Sequence, residues 1–313
     1  VISQETVYDD PLFPRETKER LAKLTVHEQK LFAASISEMG TSSLVLGPTF
    51  IPTGQAHRVS GGYLLRGRKI FLSMIEACDY LTLAMHPDDS ANPHTLCLFL
   101  VPHPLPGQRI EKVWDTLGMR ATQSNDFILE DCFVPDEALL VRVENCLPWL
   151  YERPAWGGFS YTGVYLGVGV AAYREACRVL RERVPRGFSQ PLSYHPDIRH
   201  RVAEMSVDVE AARLLVYQAG WLVDTEGMTP TARAALLRAK AFVGEAVARV
   251  TRSALNACGA HALFKTSPLE RLFRDGASAS IMPPASDACL NGLGMLELGL
   301  NPKDILPPLK VKG

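Results

Sequence analysis

No two cysteines in this 313-residue chain have the close CxxC spacing of a zinc or redox motif, although seven are present: Cys78, Cys97, Cys132, Cys146, Cys177, Cys258 and Cys289. An odd, dispersed set reads as reduced thiols in the cytoplasm, with neither a disulfide framework nor a metal site. An excess of charge is missing as well. Lys and Arg number 33 against 34 Asp and Glu, a net charge of -1, which argues against a dedicated nucleic-acid binder or a basic membrane-surface protein. No apolar run is long enough to span a bilayer and no signal peptide is recognised at the start, so neither nucleic acid nor membrane is expected as a partner. Internal repeats and low-complexity segments are absent too. The first residue is Val rather than Met, which leaves room for an upstream segment. What is present is 47% hydrophobic and 21% charged residues, the composition of a soluble globular protein with core enough for two or more domains.

Residues 1–30 are polar and punctuated by proline, with a helix predicted over 15–24. From Leu31 the composition turns apolar and small (LFAASIS) and runs into the turn-rich EMGTSS. Short β-like runs follow at 63–65, 69–73, 80–85, 95–101, 110–114 and 127–134, separated by Gly, Pro, Asn and Asp. Strands at this spacing predict an antiparallel β-domain, a barrel or a sandwich. From about Gly163 the period becomes helical. Ile198, Val202, Met205, Val209, Ala212, Val216 and Ala219 step by three and four, and Pro196 is placed to start their helix. Thr229 and Pro230 open the next, as cap and first-turn proline, and Gly259 ends it. With 163–183 before and 268–280 after, these make a four-helix antiparallel bundle. The predicted fold is therefore α+β and multidomain, with residues 31–145 as the β-domain, 146–300 as the bundle and 301–313 as a tail.

The stretch SPLERLFRDGASASIMPPAS (267–286) is the best-signalled local element. Ser267 is a natural N-cap, Pro268 fits the first helical position, and Glu270 sits where a capping-box carboxylate reaches back. Pro283 and Pro284 break the helix and leave a turn before Ser286. Such a helix delivers its last turn into a loop and can place side chains in a cleft; the plainer alternative is an ordinary helix end.

Several motifs in this order resemble the acyl-CoA dehydrogenase family. LGMRATQSNDFILEDCFVP (117–135) is similar to its β-domain signature, SISEMGTSS (35–43) to its TEPGAGS loop, and GGYLLRGRKIFLS (61–73) to its GYxLNGxKxWIT hairpin. In the bundle, ACGAHALFKTSPLERLFRDG resembles LGGxGF…PVExxxRDA without a gap. The resemblance implies FAD held between β-domain and bundle, in a homo-oligomer (a dimer or tetramer), with an acyl-CoA or acyl-carrier-protein substrate; the electron acceptor is left open. Carried over by position, Ile36 and Ser37 touch the flavin ring, Ser43 approaches the pyrophosphate, Phe71 stacks near the isoalloxazine and Ser73 bonds near N5. Asn256 stands where the family has a glutamine reaching the neighbouring subunit's FAD, Ala260 replaces a glycine there, and Ser286 matches the Ser/Thr after the catalytic loop. Arg183 or Arg186 meets FAD phosphate. Residues 1–30 stand where the family carries an N-terminal helical domain, and read as its remnant.

Dehydrogenation of an acyl thioester needs a carboxylate beside the substrate Cα, with its pKa raised by burial. Aligned from Arg274 and Asp275, the family's catalytic Glu falls on Pro283, which accepts no proton. The alternative position on the first bundle helix falls at 157–159, also without a carboxylate, and Glu152 precedes the helix that would aim it. Three readings stay open: an acyl-CoA dehydrogenase-type oxidoreductase with an altered base, a flavin-dependent monooxygenase of the same fold, and a non-catalytic flavin or acyl-CoA binding subunit. Arg274 and Asp275 read as a tie between helix end and bundle, His261 as structural or solvent-facing, His195 as a helix start, and Met282 as lining.

Overall fold

The structure, a computed structural model, describes residues 10–35, 37–39, 51–146 and 156–300. The chain divides into two compact units. One takes in the chain through Asp115 together with Arg120–Trp156, the other Thr116–Met119 together with the chain from Gly157.

The first unit opens with α1 (Arg15–Ala22), prolonged by a wide turn over Lys23–His27. Its strands are β1 (Phe32–Ser35), β2 (Gln55–Val59), β3 (Gly62–Leu72), β4 (Tyr80–Pro87), β5 (Leu96–Pro102), β6 (Gln108–Glu111), β7 (Asn125–Pro135) and β8 (Leu139–Val143). They join in the order β6-β7-β3-β2-β4-β5-β8, with β1 beside β4. Among the described residues neither end of that order pairs with a further strand, and β1 and β2 run parallel to β4. The expectation of an antiparallel barrel is thereby corrected to an open, mixed sheet. The reason lies in β2, which pairs with β3 along its whole length but with β4 only through Gln55 and Ala56. So short a bridge lets the sheet fold into layers without closing.

Alternation along the strands builds the core. Leu81, Leu83 and Met85 of β4 and Cys97, Phe99 and Val101 of β5 pack against Leu65 and Leu72 of β3 and Phe127, Leu129 and Val134 of β7. The intervening residues Ala84, Leu96, Leu98 and Leu100 point the other way, onto Phe13, Leu21 and Leu24 beside α1. β5 is thus buried on both faces, which accounts for its unbroken apolar sequence LCLFLVP.

The second unit is helical: α2 (Trp156–Glu182), α3 (Pro196–Glu226), α4 (Pro230–Cys258), α5 (Pro268–Gly276) and α6 (Ser286–Glu297). The predicted starts are real. Thr229 Oγ1 accepts from the Ala232 amide at 3.2 Å and Ser267 Oγ from the Leu269 amide at 3.3 Å, each followed by its first-turn proline. Helix 268–280 stops early, at Gly276, and α6 is a separate helix that the sequence reading did not foresee. Val250, Ala254, Ala257 and Cys258 of α4 share one core with Ala172, Ala176 and Leu180 of α2 and Met205 and Val209 of α3. Among the described residues, no helix is long and apolar enough to cross a membrane and no cluster of ligating side chains could hold a metal ion.

Candidate functional site

In the first unit the end of β3 is the unusual feature. Phe71 has φ +56° and Met74 φ +64°, a left-handed backbone that costs such residues about 1–3 kcal/mol each. The turn is held by Ser73 N donating to Phe71 O at 3.1 Å and Met74 N donating to Thr122 O at 3.0 Å. This geometry leaves Phe71 60% exposed, with its ring edge-on to Trp114 at 6.1 Å. Beside it runs a chain of hydroxyls: Ser73 Oγ lies 2.7 Å from Ser124 Oγ, which lies 2.7 Å from Thr122 Oγ1. Ser37 joins the same place, because its carbonyl accepts from the Ile70 amide at 3.0 Å. Ser37, Phe71 and Ser73 are therefore brought together, whereas Ile36 and Ser43 lie outside the described residues. An exposed aromatic face with hydroxyl donors and acceptors at its edge suits a planar heteroaromatic ring.

The second unit puts its candidates in two places. Asn256 and Ala260 are both exposed at the C-terminal end of α4, around Gly259 (φ +74°). Arg183 Nη1 donates to Cys258 O at 2.7 Å there, a cation at a helix C-terminus; Arg186 is exposed three residues further on. His261 is exposed and stacks on Phe264 at 5.9 Å. Ser286 stands instead beside Gly244, twelve residues and about 18 Å back along α4. Lys240, one turn before Gly244, is buried and donates to Ala279 O at 3.0 Å. A Cβ on Gly244 would lie 3.0 Å from Ser280 Cα and 2.5 Å from Ser286 Oγ. Chain 277–285 rests on this seat, with Pro283 exposed. Ser286 heads α6, its hydroxyl buried and without a hydrogen-bond partner. Glu152 lies outside the described residues.

Arg274 and Asp275 make ties within the second unit, to the short segment Thr116–Met119 that belongs to it. Asp275 Oδ1 accepts from Met119 N at 2.7 Å, and Arg274, paired with Glu270, donates to Leu117 O at 3.0 Å. Gly118 makes this possible, since a Cβ there would lie 2.1 Å from Arg274 O. Leu117 and Met119 are thus held inside the second unit. Nearby, Tyr165 has a buried, unpartnered hydroxyl pushed up to about 12 by burial and by Asp275.

Residues that sequence reasoning passed over are Trp114, Thr122 and Ser124, and the buried pair Glu38 and Lys69. All but Trp114 stand inside motifs quoted above. Their signal was a charge or hydroxyl within an apolar strand context, but nothing local tells which of these meet.

Residues 33–132 match the family described as acyl-CoA dehydrogenase, middle domain, and residues 155–285 match acyl-CoA dehydrogenase, C-terminal domain. The Bacillus subtilis protein YdbM is 30% identical over 247 residues, 77% of this chain and 62% of that protein. The cyclohexane-1-carbonyl-CoA dehydrogenase of Syntrophus aciditrophicus is 28% identical over 272 residues, 87% of this chain and 68% of that one. Among solved structures, the butyryl-CoA dehydrogenase of Megasphaera elsdenii is similar with a TM-score of 0.81 at 23% identity, over 95% of this chain and 75% of that one. A glutaryl-CoA dehydrogenase of Mycobacterium smegmatis in complex with FADH2 gives 0.80 at 19% identity, over 95% and 72%. The chain thus spans between about six and seven tenths of the length of these curated relatives.

Proposed function

The chain belongs to the acyl-CoA dehydrogenase family, and from that premise we propose that it binds FAD and acts as an oxidoreductase on an acyl thioester, with Pro283 in the position of the usual base. The observation that carries the reading is the exposed Phe71 on its left-handed turn, flanked by the Ser73–Ser124–Thr122 hydroxyls. When bound, the flavin supplies the two-electron acceptor. Phe71 stacks on the ring, Ser73 and Ser37 bond its polar edge, and Ile36 contributes backbone. Ser43 approaches the pyrophosphate. Asn256, Ala260 and Arg183 form the surface that meets the cofactor of a second subunit, which makes the protein a homo-oligomer, and Ser286 supports the loop bearing Pro283. Residues 31–145 and 146–300 are the functional domains, working in the cytoplasm.

One observation favours a second reading. Pro283 offers no atom that takes a proton, and proton removal at the substrate Cα requires an acceptor within hydrogen-bond reach. Binding of flavin and acyl-CoA without dehydrogenation, or flavin-dependent oxygenation, needs no such acceptor. A visible spectrum of the purified protein, followed by anaerobic addition of a panel of acyl-CoAs, separates these. Bleaching with enoyl product is the expected dehydrogenase result, and a gain of bleaching in Pro283→Glu places the base. Bound flavin that never bleaches but consumes oxygen once reduced supports oxygenation. Absence of flavin from protein refolded with excess FAD overturns the proposal.

A further inference from the structure

Glu38 and Lys69 are wholly buried and paired with each other at the centre of the first unit. Glu38 follows β1 by three residues and Lys69 lies on β3, in the other layer. The carboxylate gathers more than the ammonium: it accepts from Gly54 N at 3.1 Å and from the amide and hydroxyl of Thr53. Lys69 in turn also donates to Ala84 O on β4. One ion pair therefore joins the chain after β1, the chain before β2, β3 and β4. Burial alone would raise the Glu38 carboxyl, but the Lys69 charge and the bonds from Lys69 and Thr53 outweigh it and hold Glu38 below the usual carboxylate range.

Such a pair is an inefficient way to hold two layers together. Desolvating both charges cancels much of their attraction, and apolar residues of similar volume often serve stability as well or better. What an apolar pair would not supply is directed bonding on either side of the flavin candidates. Ser37 is the neighbour of Glu38, and Phe71 stands two residues after Lys69. Between them lies a backbone bond, Ile70 N donating to Ser37 O at 3.0 Å, so the pair brackets a bond that sets Ser37 against the Phe71 turn.

We propose that Glu38 and Lys69 are positioning residues for the flavin ring, fixing Ser37 and the Phe71 turn relative to each other, and that this is their main role in the fold. The proposal rests on the FAD reading above. It is tested with the double variant Glu38→Gln/Lys69→Met, which is neutral and keeps an acceptor for Thr53 and Gly54. Expected are an apoprotein melting temperature within a few degrees of native, at least tenfold weaker FAD binding by fluorescence titration, and an altered visible band and induced circular dichroism of the flavin that remains bound. Amide exchange at Ile70 quickens at least tenfold while β5 amides keep their protection. A double variant with native FAD affinity and spectrum overturns the inference and leaves the FAD reading standing. So does one that fails to fold, or loses Ile70 and β5 protection together, since the pair is then a support of the whole layer. If the native protein itself takes up no FAD, the functional reading falls and the inference falls with it.

Discussion

Two lysines are buried among the described residues, one in each unit, and their surroundings differ in kind. Lys69 faces a carboxylate as buried as itself, which in turn holds two backbone amides. Lys240 has a backbone carbonyl at 3.0 Å, with the Cys289 thiol close by. Burial lowers the pKa of both. The lesson is that burial alone does not make a charge indispensable. Lys69 cannot be removed without stranding Glu38, whereas Lys240 leaves behind a single neutral oxygen.

The largest expected effect follows from that difference. Lys69→Met should cost about 3–5 kcal/mol, because an uncompensated carboxylate remains inside. Lys240→Met should change stability by no more than about 1–2 kcal/mol, the unmet Ala279 carbonyl being offset by loss of a desolvated ammonium. Urea unfolding of the two variants compares them directly; equal losses would break the contrast. A middling effect tests the seat around Lys240. Gly244→Ala places a methyl against Ser280 Cα and Ser286 Oγ and should cost about 1–3 kcal/mol by overpacking. An unchanged melting temperature would show that 277–285 can move aside.

The smallest effect is in the pH dependence, whose sign is the same in the two units but whose pH window differs. Glu38 has a folded pKa below its unfolded one. Its contribution is present above the ordinary carboxylate range and is lost as pH falls through the depressed folded value. Lys240 is also lowered; between its folded value and the ordinary lysine range the unfolded chain binds more protons, so stability rises with pH there. Lys240→Met should flatten the alkaline limb of a stability-against-pH curve and leave the acid limb, whereas Glu38→Gln/Lys69→Met should flatten the acid limb and, through the loss of Lys69, part of the alkaline limb as well. A Lys240→Met variant that flattened the acid limb would erase the distinction.

Much of the helical unit was legible because its signals are local. Thr229, Ser267, Pro230 and Pro268 mark helix starts whatever surrounds them, and the steps from Met205 to Ala219 mark a buried face. The start of α2 was placed late, at 163 in place of Trp156, since its glycines carry low helix propensity. In the first unit the apolar strands β4, β5 and β7 could be read. β2, reading QAHRV, could not, because its polar pattern lacks the alternation that identifies a strand. The run at 63–65 and that at 69–73 proved to be one strand, β3, with a register shift between Leu65 and Gly67 that hides its continuity. At the candidate site, Phe71 and Ser73 were expected from a motif, while Ser124 enters only because β7 pairs with β3.

By itself the sequence determined the family, most of the strand and helix segments, and the helix caps. Those depend on residues a few positions apart. Only the tertiary structure decided that the sheet stays open, that Glu38 meets Lys69, that three hydroxyls line up beside Phe71, and that Leu117 and Met119 dock on Arg274 and Asp275. Each of these joins groups from separate stretches of chain, chosen by which surfaces can be buried together and not by any local preference of the backbone.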